Sequence, residues 1–171
     1  MNSEVDTPIL ILNGPQIDQK IKRMAYEIYE NNFKEKSVVL AGICAQGKFL
    51  AKKLYAHLEE IAGWTPVVIE IDLDKSHPFR VMDRIDTLDL NVANKVLILV
   101  DDVLNTGKTV AYGMKPFLNV KIKKMELAVL IDRSHPAFPI RARYTGYALS
   151  TTLSEHVTVN LRGKAKGVYL H

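Results

Sequence analysis

VLILVDDVLNTGKT, Val96 to Thr109, decides how the rest of this chain is read. Five apolar residues lead to two adjacent carboxylates, Asp101 and Asp102. Val103, Leu104 and Asn105 follow, and then Thr106-Gly107-Lys108-Thr109 stands where a helix should open. Small, hydroxyl-bearing residues at such a place can aim several backbone N–H groups at one phosphate. Gly107 lets the backbone come close, and the hydroxyls of Thr106 and Thr109 add donors. The carboxylates cannot hold the phosphate, because like charges repel. They can accept hydrogen bonds from vicinal hydroxyls or help hold a divalent cation. Acids ending a strand, followed by a phosphate cradle, describe a site for ribose 5-phosphate. A Walker A loop ending in Gly107-Lys108-Thr109 would need glycine where Asp102 stands. Paired aspartates that are merely solvated, or cap a helix, are the plainer alternative; the intact order of strand, acids, loop and helix weighs against it.

A second glycine loop, Gly42 to Phe49 (GICAQGKF), has Walker-like spacing through Gly47 and Lys48, but Phe49 replaces the metal-binding hydroxyl. Around these two stretches, strands and helices alternate. Apolar runs at Ile9–Leu12, Ser37–Ile43, Pro66–Ile71, Lys95–Val100 and Met125–Ile131 read as strands. Helical spacing marks Ile17 to Asn31, Lys48 to Ile61 and Thr109 to Leu118. Asn13-Gly14-Pro15 reads as a turn, and the charged stretch from Asp72 to Asn94 as a lid loop. After Tyr144 the pattern is short strands and turns without helices. The expectation is one α/β domain over residues 1–171 with a parallel sheet. Ligands in such sheets bind beyond the carboxyl ends of strands, here after Ile43, Ile71 and Val100.

The chain of 171 residues is ordinary in composition, with 47% hydrophobic and 25% charged residues. No apolar run approaches the roughly 20 residues that span a bilayer. MNSEVDTPIL lacks the layout of a secretory signal, and the single cysteine, Cys44, cannot form an internal disulfide. A cytoplasmic location without membrane contact is expected. Cys44 itself reads as a small buried residue at a strand end rather than a nucleophile. The formal charge of +4 permits an anionic ligand or nucleic acid without demanding either.

Val96–Thr109 resembles the phosphoribosyl-pyrophosphate (PRPP) signature of the type I phosphoribosyltransferases. AGICAQGKFLAKKL, DQKIKRMAYEIYENN and, above all, LAVLIDRSHPAFPIRARYTG (Leu127–Gly146) resemble the PyrR family, which pairs uracil phosphoribosyltransferase activity with control of pyrimidine-operon RNA. The resemblance implies a parallel-sheet fold with a small hood and a lid loop. It implies Mg²⁺-dependent transfer of ribose 5-phosphate from PRPP to a nucleobase, and a homo-oligomer, commonly a dimer. Asp101 and Asp102 would hold the ribose hydroxyls directly or through Mg²⁺. Val103, Leu104, Asn105, Thr106, Gly107, Lys108 and Thr109 would bind the 5-phosphate. Ala45, Gln46 and Gly47 would form the pyrophosphate loop, Lys75 and Arg80 would close over pyrophosphate, and Ile131, Asp132 and Arg133 would meet the base. For Asp132 and Arg133 a plain salt bridge within the loop stays open. Asn105 stands where purine-salvage relatives carry Asp as a proton acceptor; an amide cannot take that proton, which favours a pyrimidine such as uracil.

The sequence departs from the family in three places. Gln46 replaces the arginine of the pyrophosphate loop, leaving Lys48 as the neighbouring cation. The segment after Ile71 is short, with Lys75, His77 and Arg80 as its cations. On the RNA face, Tyr26 replaces a histidine and Pro136 an arginine, while Lys20, Lys22, Arg23 and Arg141 keep that face open. A PRPP- or nucleotide-sensing regulator with weak turnover is therefore the alternative.

Overall fold

A computed structural model describes residues 7–73 and 92–171. Its order is β1 (Ile9–Asn13), α1 (Gly14–Asn32), β2 (Val38–Ile43), α2 (Cys44–Ile61), β3 (Val67–Ile71), β4 (Val96–Leu104) and α3 (Lys108–Met114). A 3-10 turn (Lys115–Phe117) follows, then β5 (Lys124–Asp132), β6 (Tyr144–Ala148), β7 (Val157–Asn160) and β8 (Gly167–Leu170). Five strands pair in the order β3-β2-β4-β5-β6, every pairing parallel.

Strand alternation divides the core. Leu40, Ile98, Val100, Ala128 and Leu130 face α1 and α2, meeting Ile17, Ile21, Met24, Leu50, Leu54 and Leu58. The opposite residues, Val39, Ala41, Leu97, Leu99, Leu127 and Val129, pack with Val110 and Phe117. β2 is buried along its whole length, which is why it reads as an uninterrupted apolar run rather than an alternating one. A separate antiparallel sheet, β1-β8-β7, supplies the expected hood. Leu12, Val159 and Val168 join the hood to the α1–α2 side of the core.

Three boundaries differ from expectation. Asn13-Gly14-Pro15 is not a separate turn but the start of α1. The Asn13 side chain accepts from Gln16 N–H while the Gln16 side chain accepts from Asn13 N–H, both at 2.9 Å, with proline in the first turn. α2 begins at Cys44, four residues early. The third helix is short, because Pro116 converts its end to a 3-10 turn.

Candidate active site

β4 continues through both acids to Leu104, since Asp101, Val103 and Leu104 pair with Val129, Ile131 and Asp132 of β5. The carboxylates therefore lie within the strand rather than after it. Asp101 is 3% exposed and its Oδ1 accepts the Asp102 N–H at 2.9 Å. Gly47 of α2 presses on the strand just before them. A Cβ there would come within 2.4 Å of the Val100 carbonyl oxygen.

Past Leu104 the chain turns at Gly107, whose φ of +83° is left-handed. The turn is held by its neighbours. Thr106 O accepts from Ala137 N (2.9 Å) and Phe138 N (3.0 Å), and Thr106 Oγ1 from Lys108 N (3.3 Å). A cavity of about 110 Å³ results, lined by Asp101 and by every residue from Val103 to Val110. One water takes about 30 Å³, so the space suits a phosphate-sized group. All the residues assigned to the cradle from sequence thus meet around one space. With only seven residues, α3 contributes little dipole, so an anion in this space would be met by loop amides and threonine hydroxyls.

Ala45, Gln46 and Gly47 form the first turn of α2 instead of a separate loop. Cys44 is half-buried rather than buried, has a φ of +52°, and directs its Sγ to Leu73 O at 3.4 Å. Gln46 Nε2 donates to Val159 O of the hood at 3.2 Å. The neighbouring cation is occupied too, since Lys48 forms an ion pair with Glu70. Phe49, in the place of the Walker hydroxyl, lies between Lys53 and Arg162, at 5.6 and 4.6 Å from its ring centre. Lys75 and Arg80 fall outside the described residues, as does most of the Asp72–Asn94 stretch.

Toward the expected base site, the Arg133 N–H donates to Leu104 O at 2.9 Å. Ile131 is fully buried, so its side chain supports the site without reaching a ligand. Asp132 and Arg133 form no ion pair among the described residues. Asp132 Oδ1 instead accepts from Ser134 N (2.8 Å), and Arg133, 4% exposed, gives its guanidinium to residues 151–155. Its Nε and Nη2 reach Thr151 Oγ1 at 3.0 and 2.9 Å, and Nη2 reaches the carbonyls of Thr152 (3.3 Å) and Glu155 (2.6 Å). Between that loop and the cradle lies a second cavity of about 460 Å³. Asn105 and Thr106 line both cavities; His135, Leu153 and His156, which sequence reasoning missed, line the second. An isolated leucine in the polar run Ser150 to His156 was the signal available.

The donor set fits Mg²⁺ only as an ion shared with substrate. One or two carboxylates with substrate oxygens and water are its usual ligands. Among the described residues no group of three or more His, Cys, Asp and Glu gathers as a protein-only site.

The residues expected on an RNA face lie on α1 and in the segment that precedes β6. Lys20 lies over the Tyr147 ring at 5.6 Å. Arg23 pairs with Glu27 and donates to the carbonyls of Thr145 (3.0 Å) and Gly146 (2.7 Å). Both lie where α1 meets β6. Arg141 instead borders a groove of about 600 Å³ with Met114 and Leu99, on the α3 side of the sheet. No helix among the described residues is long and apolar enough to cross a membrane.

Comparison with known proteins bears on the family and the fold. Residues 10–159 match the phosphoribosyl transferase domain model. The bifunctional protein PyrR of Streptococcus mutans is 35% identical over 153 residues, covering 88% of this chain and 87% of that protein. That of Bacillus pumilus is 37% identical over 161 residues, covering 89% of each. In fold, the hypoxanthine phosphoribosyltransferase of Trypanosoma cruzi aligns with a TM-score of 0.76 at 14% identity, covering 94% of both chains. A hypoxanthine-guanine phosphoribosyltransferase of Bacillus anthracis gives 0.75 at 18% identity, covering 94% of this chain and 95% of that one.

Proposed function

We propose a function from one premise: the chain belongs to the phosphoribosyl transferase domain family. The reaction is transfer of ribose 5-phosphate from PRPP to a nucleobase, with uracil as acceptor and pyrophosphate as leaving group. The observation that carries it is the meeting of two cavities across Asn105 and Thr106, one phosphate-sized and one large enough for a base. The 5-phosphate would take the cradle amides and the Thr106 and Thr109 hydroxyls, leaving Asp101 beside the ribose hydroxyls.

In the chemical step the base nitrogen bonds to the anomeric carbon while the bond from that carbon to pyrophosphate breaks. Pyrophosphate leaves with the electron pair, and the nitrogen's proton passes to the departing pyrophosphate or to solvent water. Positive charge builds on the ribose as this happens, so rigid placement and nearby negative charge favour the step. Asp101, held by the Asp102 amide, supplies both. Asp101 and Asp102, together with substrate oxygens, would hold Mg²⁺, which would supply positive charge against the departing pyrophosphate. Asn105 at the shared wall offers an amide, which donates and accepts hydrogen bonds but takes no proton. That supports a pyrimidine acceptor, as do the relatives named PyrR.

A second reading, a PRPP- or nucleotide-sensing regulator with weak turnover, is favoured by Gln46 and Lys48. Both are engaged elsewhere, on Val159 and Glu70. It leads to nucleotide binding without turnover, and RNA affinity that falls steeply with salt. The site assignment is tested by calorimetric titration of PRPP with Mg²⁺. Asp101→Asn combined with Asp102→Asn is expected to lower affinity by at least about ten-fold, the weight of one good charge-assisted hydrogen bond. Unchanged affinity would contradict it.

A further inference from the structure

We infer that Leu153 is the apolar wall against which the acceptor base lies, and that Arg133 is a positioning residue that holds the Leu153 loop in place. This deepens the phosphoribosyltransferase reading and rests on it. Leu153 is 92% exposed, yet it lines the 460 Å³ cavity next to the cradle. An exposed leucine alone needs no explanation. This one sits on a loop tied down along its whole length.

At one end Leu149 N donates to Asp132 O (2.8 Å), and at the other His156 and His171 exchange backbone hydrogen bonds (2.9 and 2.8 Å). Between them the buried guanidinium of Arg133 bonds to three residues of the loop, Thr151, Thr152 and Glu155. The ring of His135 donates to Thr151 O at 2.7 Å. Thr152 Oγ1 and Ser154 Oγ are 3.1 Å apart, which braces the residues on either side of the leucine. A loop fixed in this way gives up little further backbone freedom when its leucine is covered.

The chemistry of the cavity matches a nucleobase. A base has an apolar face and a polar edge. Leu153 offers an apolar surface, and the Asn105 amide and Thr106 stand at the wall shared with the cradle, where the glycosidic bond would form. Arg133 lines the cavity too, but its Nε and Nη2 are committed to Thr151, Thr152 and Glu155. Its contribution to recognition is made through the loop. Half-covering a leucine is worth about a ten-fold change in affinity.

The test compares UMP with ribose 5-phosphate, titrated calorimetrically into the wild type and four variants. Leu153→Ala is expected to weaken UMP about ten-fold and leave ribose 5-phosphate unchanged, while Leu153→Met retains UMP affinity. Thr151→Val, which removes the hydroxyl that Arg133 holds, should copy Leu153→Ala, and Thr151→Ser should not. Equal UMP affinity in wild type and Leu153→Ala overturns the inference, as does equal weakening of both ligands. A changed oligomeric state with unchanged UMP affinity also overturns it, and assigns the leucine to a contact between copies. If ribose 5-phosphate fails to bind the wild type, the phosphoribosyltransferase reading falls and this inference with it.

Discussion

At Gly107 a single methyl group is enough to disturb the cradle. The residue holds φ at +83°, and a Cβ there would approach Ile140 Cβ to 3.0 Å. The left-handed conformation costs a non-glycine residue roughly 1–2 kcal/mol before any clash is counted. Gly107→Ala is therefore expected to lower stability by about 2 kcal/mol in urea denaturation. It should weaken ribose 5-phosphate more than any change to the base wall does. Full stability with full phosphate affinity would mean that the turn is not the phosphate cradle. Arg133 illustrates a different point. Its place beside Asp132 suggests a charge offered to a ligand; it does line the second cavity, but it is buried and its Nε and Nη2 also tie down one loop.

Among the elements, the loop of residues 151–155 carries a titratable contact. The Glu155 carboxylate accepts the Thr152 N–H, and that backbone hydrogen bond holds its pKa below the ordinary 4.5, with help from the Thr152 hydroxyl and nearby Arg133. The sign follows from the depression. The contact contributes in full above about pH 4.5, and the contribution is lost as pH falls through the lowered folded value. The Thr152 amide resonance is expected to titrate with a midpoint below 4.5; a midpoint at or above it would show that the contact does not form in solution.

The helices show how far local pattern carries. Leu50, Leu54 and Leu58 mark the buried stripe of α2 without ambiguity, and all three lie in the core. Its first turn was hidden, because Ala45-Gln46-Gly47 reads as a glycine loop when its neighbours are unknown. Only the contact of Gly47 with Val100, and of Gln46 with Val159, explains why the helix starts at Cys44. Asn13-Gly14-Pro15 misled for a related reason, since turn residues and helix-capping residues are the same types.

Over the whole molecule, the parallel sheet and the turn that encloses the smaller cavity were legible because both are written in contiguous residues. Apolar runs, acids and a glycine turn follow one another along the chain. The second cavity was legible only in part, through Asn105, Thr106 and Arg133. Its lining comes from three separated segments, near residues 105, 135 and 153, and only the pairing of β5 with β4 and β6 brings them together. What unites the molecule is that two sheets meet at one end of β4, with α2 bonded to the hood just above the acids. The measurement that bears most directly on the proposed function is chromatographic analysis of nucleotide products after incubation with PRPP, Mg²⁺ and a panel of free bases. The expected result is UMP formed from uracil with one pyrophosphate released per nucleotide, abolished by Asp101→Asn. No nucleotide formed from any base would contradict it.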